Sequence, residues 1–184
     1  GMARGAFEYQ GQKCSAASRA YIPDNLSAEI KKKLIAEVKS MKMGTTEDFT
    51  NFINAVIDEK SFTSIKKYIE TAKKDKTCKI LVGGKCDSTK GWYIEPTVIE
   101  TTNPKYQTMC EEIFGPVLTI YTYKANEFEQ VCQLVDSTSD YALTGAVFSQ
   151  DRYALEGAMK ALNHSAGNFY INDKPTGAVV GQQP

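Results

Sequence analysis

Hydrophobic and polar positions along the chain follow two periods, that of amphipathic helices and that of short buried strands. A first helix is predicted to begin near Asp24, to bury Leu34 and Val38, and to end at Gly44. Cys14 to Arg19 could form a short helical turn. Further helices are predicted over residues 58–74, 126–137 and 151–163, and strands over residues 19–22, 79–82, 92–99, 117–123, 144–148 and 168–171.

From Val117 onward, strands and helices alternate, which is typical of crossover connections and a parallel sheet. We therefore predict an α/β fold with three layers, a largely parallel sheet and helices on both faces. The strand over residues 79–82 is expected to be buried, whereas Pro96 within residues 92–99 indicates a bend or an edge strand. Ligands gather at the carboxyl ends of parallel strands, so residues 172–178 form a candidate substrate loop.

Composition limits the classes of function. The chain has 184 residues, enough for one domain with a hydrophobic core, and 22 basic residues balance 22 acidic ones. This balance gives no electrostatic argument for nucleic acid or for a membrane surface as a partner. No apolar run is long enough to span a bilayer, and no signal-peptide pattern is present.

The cysteines and the single histidine restrict the chemistry further. Five cysteines without a C-x-x-C pair, beside one histidine, predict free thiols in a reducing compartment and no metal site. His164 ends a predicted helix and is interpreted as a surface residue. A nucleophilic cysteine would therefore use a carboxylate as its base, or a base outside this chain.

The strongest candidate nucleophile is Cys14, in the run Gly-Gln-Lys-Cys over residues 11–14. Gly11 permits a close backbone approach, Lys13 adds positive charge, and small residues follow the thiol. In the predicted helical turn, the helix dipole would favour the thiolate. On local grounds a small buried core cysteine is an equally acceptable interpretation.

A second informative run, Glu-Glu-Ile-Phe-Gly-Pro, covers residues 111–116. The Gly-Pro break forces a sharp turn that could project Glu112 and Phe114 from a loop. The alternative is a surface carboxylate pair beside a core phenylalanine. No glycine-rich dinucleotide fingerprint and no P-loop occurs, so the residues alone predict no dinucleotide-binding unit.

Together with the run Gly-Asn-Phe-Tyr-Ile-Asn over residues 167–172, these two motifs resemble the aldehyde dehydrogenase superfamily. The resemblance covers the chain from residue 3 and implies the fold of the catalytic domain of that superfamily. Residues 7–9, 136–138, 141, 144–151, 176–177 and 181–184 are similar to members that oxidise glutamate gamma-semialdehyde to glutamate with NAD in proline catabolism.

The resemblance assigns roles to individual residues. Cys14 would attack the aldehyde, hydride would pass to NAD, and water would hydrolyse the thioester; the Cys14 N–H would be one oxyanion donor. Glu112 would hold the nicotinamide ribose, with Phe114 beside it. Substrate would bind Ser15 and the loop of Thr176, Gly177 and Ala178. Ala178 stands where serine is expected, so one hydroxyl contact would be missing.

The resemblance also implies missing parts. Residues 1–2 would be a cloning remnant, and residues 3–184 a catalytic domain truncated at both ends, without the NAD-binding domain, the general-base glutamate and the oxyanion-hole asparagine. We expect the isolated chain to be inactive and prone to self-association, and the full-length protein to be a homo-oligomer. Its location would be the mitochondrial matrix in a eukaryote and the cytoplasm in a bacterium.

Two other functions remain open at this stage. The first is another semialdehyde dehydrogenase of the superfamily, or an acylating member that passes the thioester to coenzyme A. The second is a non-catalytic binding or redox-sensing module in which Cys14 is a reversible thiol.

Overall fold

The computed structural model describes residues 1–140, 143–177 and 181. Its helices are α1 (Met2–Phe7), α2 (Asp24–Ser40), α3 (Glu59–Lys74), α4 (Gln107–Cys110), α5 (Phe128–Ser137) and α6 (Arg152–Ala161). Its strands are β1 (Arg19–Pro23), β2 (Cys78–Val82), β3 (Cys86–Asp87), β4 (Tyr93–Ile94), β5 (Thr97–Thr101), β6 (Val117–Tyr123), β7 (Thr144–Val147) and β8 (Asn168–Ile171). A 3-10 turn spans Glu8–Gly11.

A four-stranded mixed sheet is the centre of the fold, in the order β1-β6-β5-β2. β1 and β5 both run parallel to β6, and β2 runs antiparallel to β5. Successive residues of β5 and β6 point to opposite faces. The α/β fold with a mostly parallel sheet is thus confirmed.

Helices cover both faces of this sheet. On one face, α1 and α2 bury Leu34 and Val38 in a cluster that includes Val98 and Leu118. On the other face, α3 buries a stripe against Ile99 and other sheet residues. The two helical layers therefore pack against opposite faces of the sheet, and each forms its own hydrophobic cluster with residues of the sheet.

The C-terminal part forms a smaller unit. β7 and β8 pair in parallel across the α6 crossover, and α5 packs on α6 around Cys132, Ala158 and Leu162. Asp151 caps α6 by accepting hydrogen bonds from the N–H groups of Tyr153 and Ala154, as the sequence predicted.

Several boundaries differ from the sequence predictions. Helix α2, the first helix that the sequence predicted, ends at Ser40 and not at Gly44. The Gly44 N–H instead donates to the carbonyl of Ile53. β2 is a half-buried edge strand, not a buried one. The run over residues 92–99 divides at Pro96 into β4 and β5, so the bend is confirmed, but β5 lies inside the sheet.

Within the described residues, no helix has both the length and the apolar composition needed to cross a bilayer. The same part of the chain contains no group of three or more histidine, cysteine or acidic residues arranged to hold a metal ion.

Candidate active site

The Cys14 thiol is exposed and lies in a turn, not in a helix. The turn closes with the Ala16 N–H bonded to the Lys13 carbonyl at 3.0 Å, and extended chain then leads into β1. The Ala17 N–H donates to the Gly5 carbonyl of α1 at 2.9 Å. The predicted helical turn from Cys14 to Arg19 is therefore wrong, and Cys14 does not lie in the first turn of a helix.

Gln12 joins the Cys14 turn to the second motif. Its Nε2 donates to the Phe114 carbonyl at 3.3 Å, and its Oε1 accepts from the Ile57 N–H at 2.9 Å. Two motifs that lie 102 residues apart are thus fixed against each other by one amide side chain.

The close approach of these motifs depends on Gly11. Its φ is +65°, and a Cβ there would lie 2.4 Å from the carbonyl oxygen of Gly115. Both the left-handed conformation and the backbone contact exclude a side chain. The sequence prediction of a close approach at Gly11 agrees with this geometry.

The two adjacent carboxylates lie in different surroundings. Glu111 accepts a hydrogen bond of 2.5 Å from the Tyr68 hydroxyl of α3. Glu112 is exposed, and among the described residues the structure gives its carboxylate no partner. Phe114 is 42% exposed at a φ of 55°, a conformation that is costly outside glycine. The core interpretation of Phe114 is wrong, since the ring projects from the loop.

The Tyr68 contact leads to a titration prediction. Hydrogen bonding to Glu111 raises the pKa of Tyr68 to about 12, from an ordinary value of 10.0. Because the pKa is raised, the contact stabilises the fold fully below pH 10 and is lost as the pH rises toward 12. The Tyr68→Phe variant should lack one phenol that ionises near pH 12 in the wild type. Ultraviolet difference titration of the two proteins measures this loss. Loss of a phenol with the ordinary pKa would contradict the contact.

Of the candidate substrate residues, Ser15 directly follows Cys14, and Thr176 and Gly177 lie on the loop after β8. The Ser15 carbonyl accepts from the Thr144 hydroxyl at 3.3 Å. Thr176 is buried, and the Gly177 N–H donates to the Lys174 carbonyl at 3.1 Å, so this amide is engaged within the loop. Ala178 lies outside the described residues.

Sequence reasoning gave no role to Gln12 or Glu8. Glu8 lies in the 3-10 turn and accepts hydrogen bonds from Lys13 and Lys174. The hydrogen bond from Lys174, more than any other contact, holds the pKa of the Glu8 carboxyl below its usual value, against the opposing effect of burial. The only local signal was the spacing of five residues between Glu8 and Lys13, since Lys174 is 166 residues away.

Differences among the thiols give a labelling prediction. Cys14 is exposed, whereas Cys132 is 4% exposed and its pKa, like that of Cys86, is raised by burial. Iodoacetamide should therefore alkylate Cys14 about 100-fold faster than Cys132, because alkylation needs an accessible thiolate. Peptide mass spectrometry measures each rate in the native chain, and urea-unfolded chain is the control. Equal rates in the native chain would show that the Cys14 thiol is no more accessible than the Cys132 thiol, and would contradict the prediction.

The aldehyde dehydrogenase family profile matches residues 1–184. The chain belongs to the aldehyde dehydrogenase family. The mitochondrial delta-1-pyrroline-5-carboxylate dehydrogenase of Dictyostelium discoideum is 61% identical over 181 residues, which cover 98% of this chain and 32% of that protein. The enzyme of the same name from Homo sapiens is 52% identical, covering 100% of this chain and 33% of its own length.

Solved structures give the same result for the fold of this family member. The delta-pyrroline-5-carboxylate dehydrogenase of Mycobacterium tuberculosis bound with NAD superposes with a TM-score of 0.92 at 42% identity. It covers 100% of this chain and 33% of its own. The chain thus spans about a third of the length of the relatives it matches.

Proposed function

We propose that this chain is the nucleophile-bearing part of an NAD-dependent dehydrogenase that oxidises L-glutamate gamma-semialdehyde to L-glutamate. The observation that carries the proposal is the Gln12 bridge, which holds the exposed Cys14 turn against the loop of Glu112 and Phe114. The names of the relatives, delta-1-pyrroline-5-carboxylate dehydrogenases, support the substrate.

Cys14 acts as the nucleophile. Its thiolate adds to the aldehyde carbon, and the carbonyl oxygen becomes a hemithioacetal oxyanion that the Cys14 N–H stabilises. As the C=O bond re-forms, the C–H bond breaks with its electron pair leaving as hydride, which gives a thioester. Water then adds to the thioester as it loses a proton to a base outside this chain. The C–S bond breaks with its electron pair on sulfur, which returns the thiolate, and the acid product releases its proton to solvent as it becomes a carboxylate.

NAD, when bound, accepts the hydride. The loop over residues 112–114 fits such a cofactor, because the exposed Glu112 carboxylate can accept hydrogen bonds from a pair of ribose hydroxyls and the projecting Phe114 ring offers an apolar surface beside it. Both groups belong to the loop that Gln12 fixes to the Cys14 turn.

Ser15, Thr176, Gly177 and Ala178 are proposed to receive the amino-acid end of the substrate. Ser15 adjoins the nucleophile, and Thr176 and Gly177 lie on the loop that contacts the Cys14 segment through Glu8. Backbone N–H groups of such a loop suit a carboxylate, although that of Gly177 would have to exchange its bond to Lys174.

The remaining parts of the reaction are proposed to lie in the other two thirds of the full-length protein. These parts are the cofactor domain, the carboxylate that activates water, and the second oxyanion donor. We further propose that residues 3–184 form the catalytic domain, that the whole protein is a homo-oligomer, and that it resides in the mitochondrial matrix if its source is a eukaryote.

The experiment uses a chimera in which this chain replaces the matching segment of the Dictyostelium discoideum relative. The chimera should reduce NAD with glutamate gamma-semialdehyde, and the 184-residue chain alone should not. If the chimera formed product only when coenzyme A was added, the result would favour an acylating enzyme. A folded chimera that fails to reduce NAD with any aldehyde tested, while Cys14 cycles reversibly between oxidised and reduced forms, would favour a redox module.

The role of Glu112 has its own prediction. In the chimera, Glu112→Gln should raise the KM for NAD about 10-fold, because it replaces an ionised acceptor by a neutral one. The matched control is Glu111→Gln, which alters the neighbouring carboxylate, the one that accepts a hydrogen bond from Tyr68. This variant should leave the KM for NAD within about 2-fold of the wild-type value. Equal effects of the two variants would contradict the assignment of Glu112.

A further inference from the structure

One carboxylate oxygen connects the nucleophile segment to the substrate loop. Glu8 Oε2 accepts from Lys174 Nζ at 3.0 Å, from Lys13 Nζ at 3.3 Å and from the Thr176 hydroxyl at 3.4 Å. We call these four residues the Glu8 cluster. Lys13 directly precedes Cys14, and Thr176 directly precedes Gly177.

The Glu8 cluster is sheltered and its charges do not cancel. The side chains of Glu8, Lys13 and Lys174 are 33%, 33% and 27% exposed, and Thr176 is 8% exposed. Two ammonium groups face one carboxylate, which leaves one net positive charge between the two loops. Partly sheltered, charge-assisted hydrogen bonds of this kind are stronger than those of fully exposed ion pairs.

Loss of the Glu8 charge would remove the common acceptor of both loops. Lys13 and Lys174 would then face each other as like charges, and the buried Thr176 hydroxyl would lose its charged acceptor. The loop that Thr176 and Gly177 belong to would move away from the Cys14 turn. Other contacts of the Cys14 turn, including the Gln12 bridge, would remain in place.

We propose that Glu8 is a positioning residue that holds the substrate loop, through Lys174 and Thr176, in register with the Cys14 turn, and so sets the preference for aldehydes that carry a carboxylate. The proposal rests on the function proposed above and adds the residue that orients its substrate loop. Glu8 itself contacts neither the aldehyde nor the thiol.

Kinetics of the chimera with two aldehydes test this role. Glu8→Gln should raise the KM for glutamate gamma-semialdehyde about 10- to 100-fold with kcat within about 3-fold, because a misplaced anchor weakens binding more than chemistry. The KM for propanal, which has no carboxylate, should stay within about 3-fold. Equal losses with both aldehydes would indicate a general structural role and overturn the proposal, as would no change with either.

Matched variants separate the cluster from surface charge. Glu156→Gln breaks an exposed ion pair with Arg152 on α6 and should alter neither KM beyond about 2-fold. Lys174→Met should reproduce the Glu8→Gln effect, and the double variant should be no worse than either single one, because both remove the same contact. Additive losses in the double variant would overturn the proposal.

Hydrogen exchange in the 184-residue chain gives a readout that needs no activity. Glu8→Gln should speed exchange of the Gly177 amide about 10-fold, since its bond to Lys174 opens with the loop. Unchanged exchange would overturn the positioning role. A wild-type chimera that oxidises propanal but not the semialdehyde would sink the proposed function, while the exchange result would still decide whether Glu8 holds the loop.

Discussion

Replacing Cys14 by serine in the chimera is expected to abolish NAD reduction with the semialdehyde, by about 10⁴-fold or more in kcat. The change keeps the size of the side chain but exchanges a thiol for an alcohol, which has almost no anionic form near neutral pH. Without the thiolate, no covalent bond to the aldehyde forms and the hydride has no tetrahedral donor. The measurement is steady-state NADH absorbance, with stopped-flow detection of any single-turnover burst.

The control for this loss is Cys78→Ser. Cys78 is half-buried on the edge strand β2, so the same chemical change falls outside the Cys14 segment. Its activity should stay within about 2-fold of wild type. Substantial residual turnover in the Cys14 variant, with an acyl adduct mapped to another cysteine, would contradict the choice of nucleophile.

Elements with a strong local pattern were predicted well. The helix α3 was expected over residues 58–74 and is found at Glu59–Lys74, with Asp58 as its cap. The strand β6 has the predicted bounds, Val117–Tyr123. Here a long amphipathic stripe and a run of branched and aromatic residues agree with the tertiary environment.

The missed elements depend on partners that are distant in sequence. Helix α1 has six residues and no complete periodic stripe, yet it is buried because it packs with α2. The chain after Cys14 favoured a helical turn locally, but the Ala17 N–H bonds Gly5, and the Ser18 carbonyl bonds the N–H of Thr119. These tertiary bonds satisfy the backbone in an extended form, so the local preference loses.

The candidate site shows the same division. Cys14, Glu112 and Phe114 were proposed because their motifs resemble a family, and the structure brings the Cys14 and Phe114 motifs together through Gln12. Gln12 and Glu8 form hydrogen bonds with partners that are 102 and 166 residues away. No local spacing shows such contacts, because only the fold brings these segments together.

Gly11→Ala is expected to destabilise the chain by about 3 to 5 kcal/mol. Two costs add. An alanine at a φ of +65° is strained, and its Cβ would lie 2.4 Å from the Gly115 oxygen and 2.8 Å from the Ala6 oxygen. Both contacts are with backbone atoms, which cannot rotate away. Urea unfolding followed by circular dichroism measures the loss.

The matched control is Gly157→Ala, the same substitution in the middle of α6. A Cβ there meets no atom within 4 Å, so alanine should stabilise the chain by about 0.5 to 1 kcal/mol through helix propensity. The two variants should therefore shift the unfolding midpoint in opposite directions. If Gly11→Ala unfolded at the wild-type midpoint, the backbones at Gly11 and Gly115 would not be in contact, and the Gln12 bridge between the two motifs would lose its geometric basis.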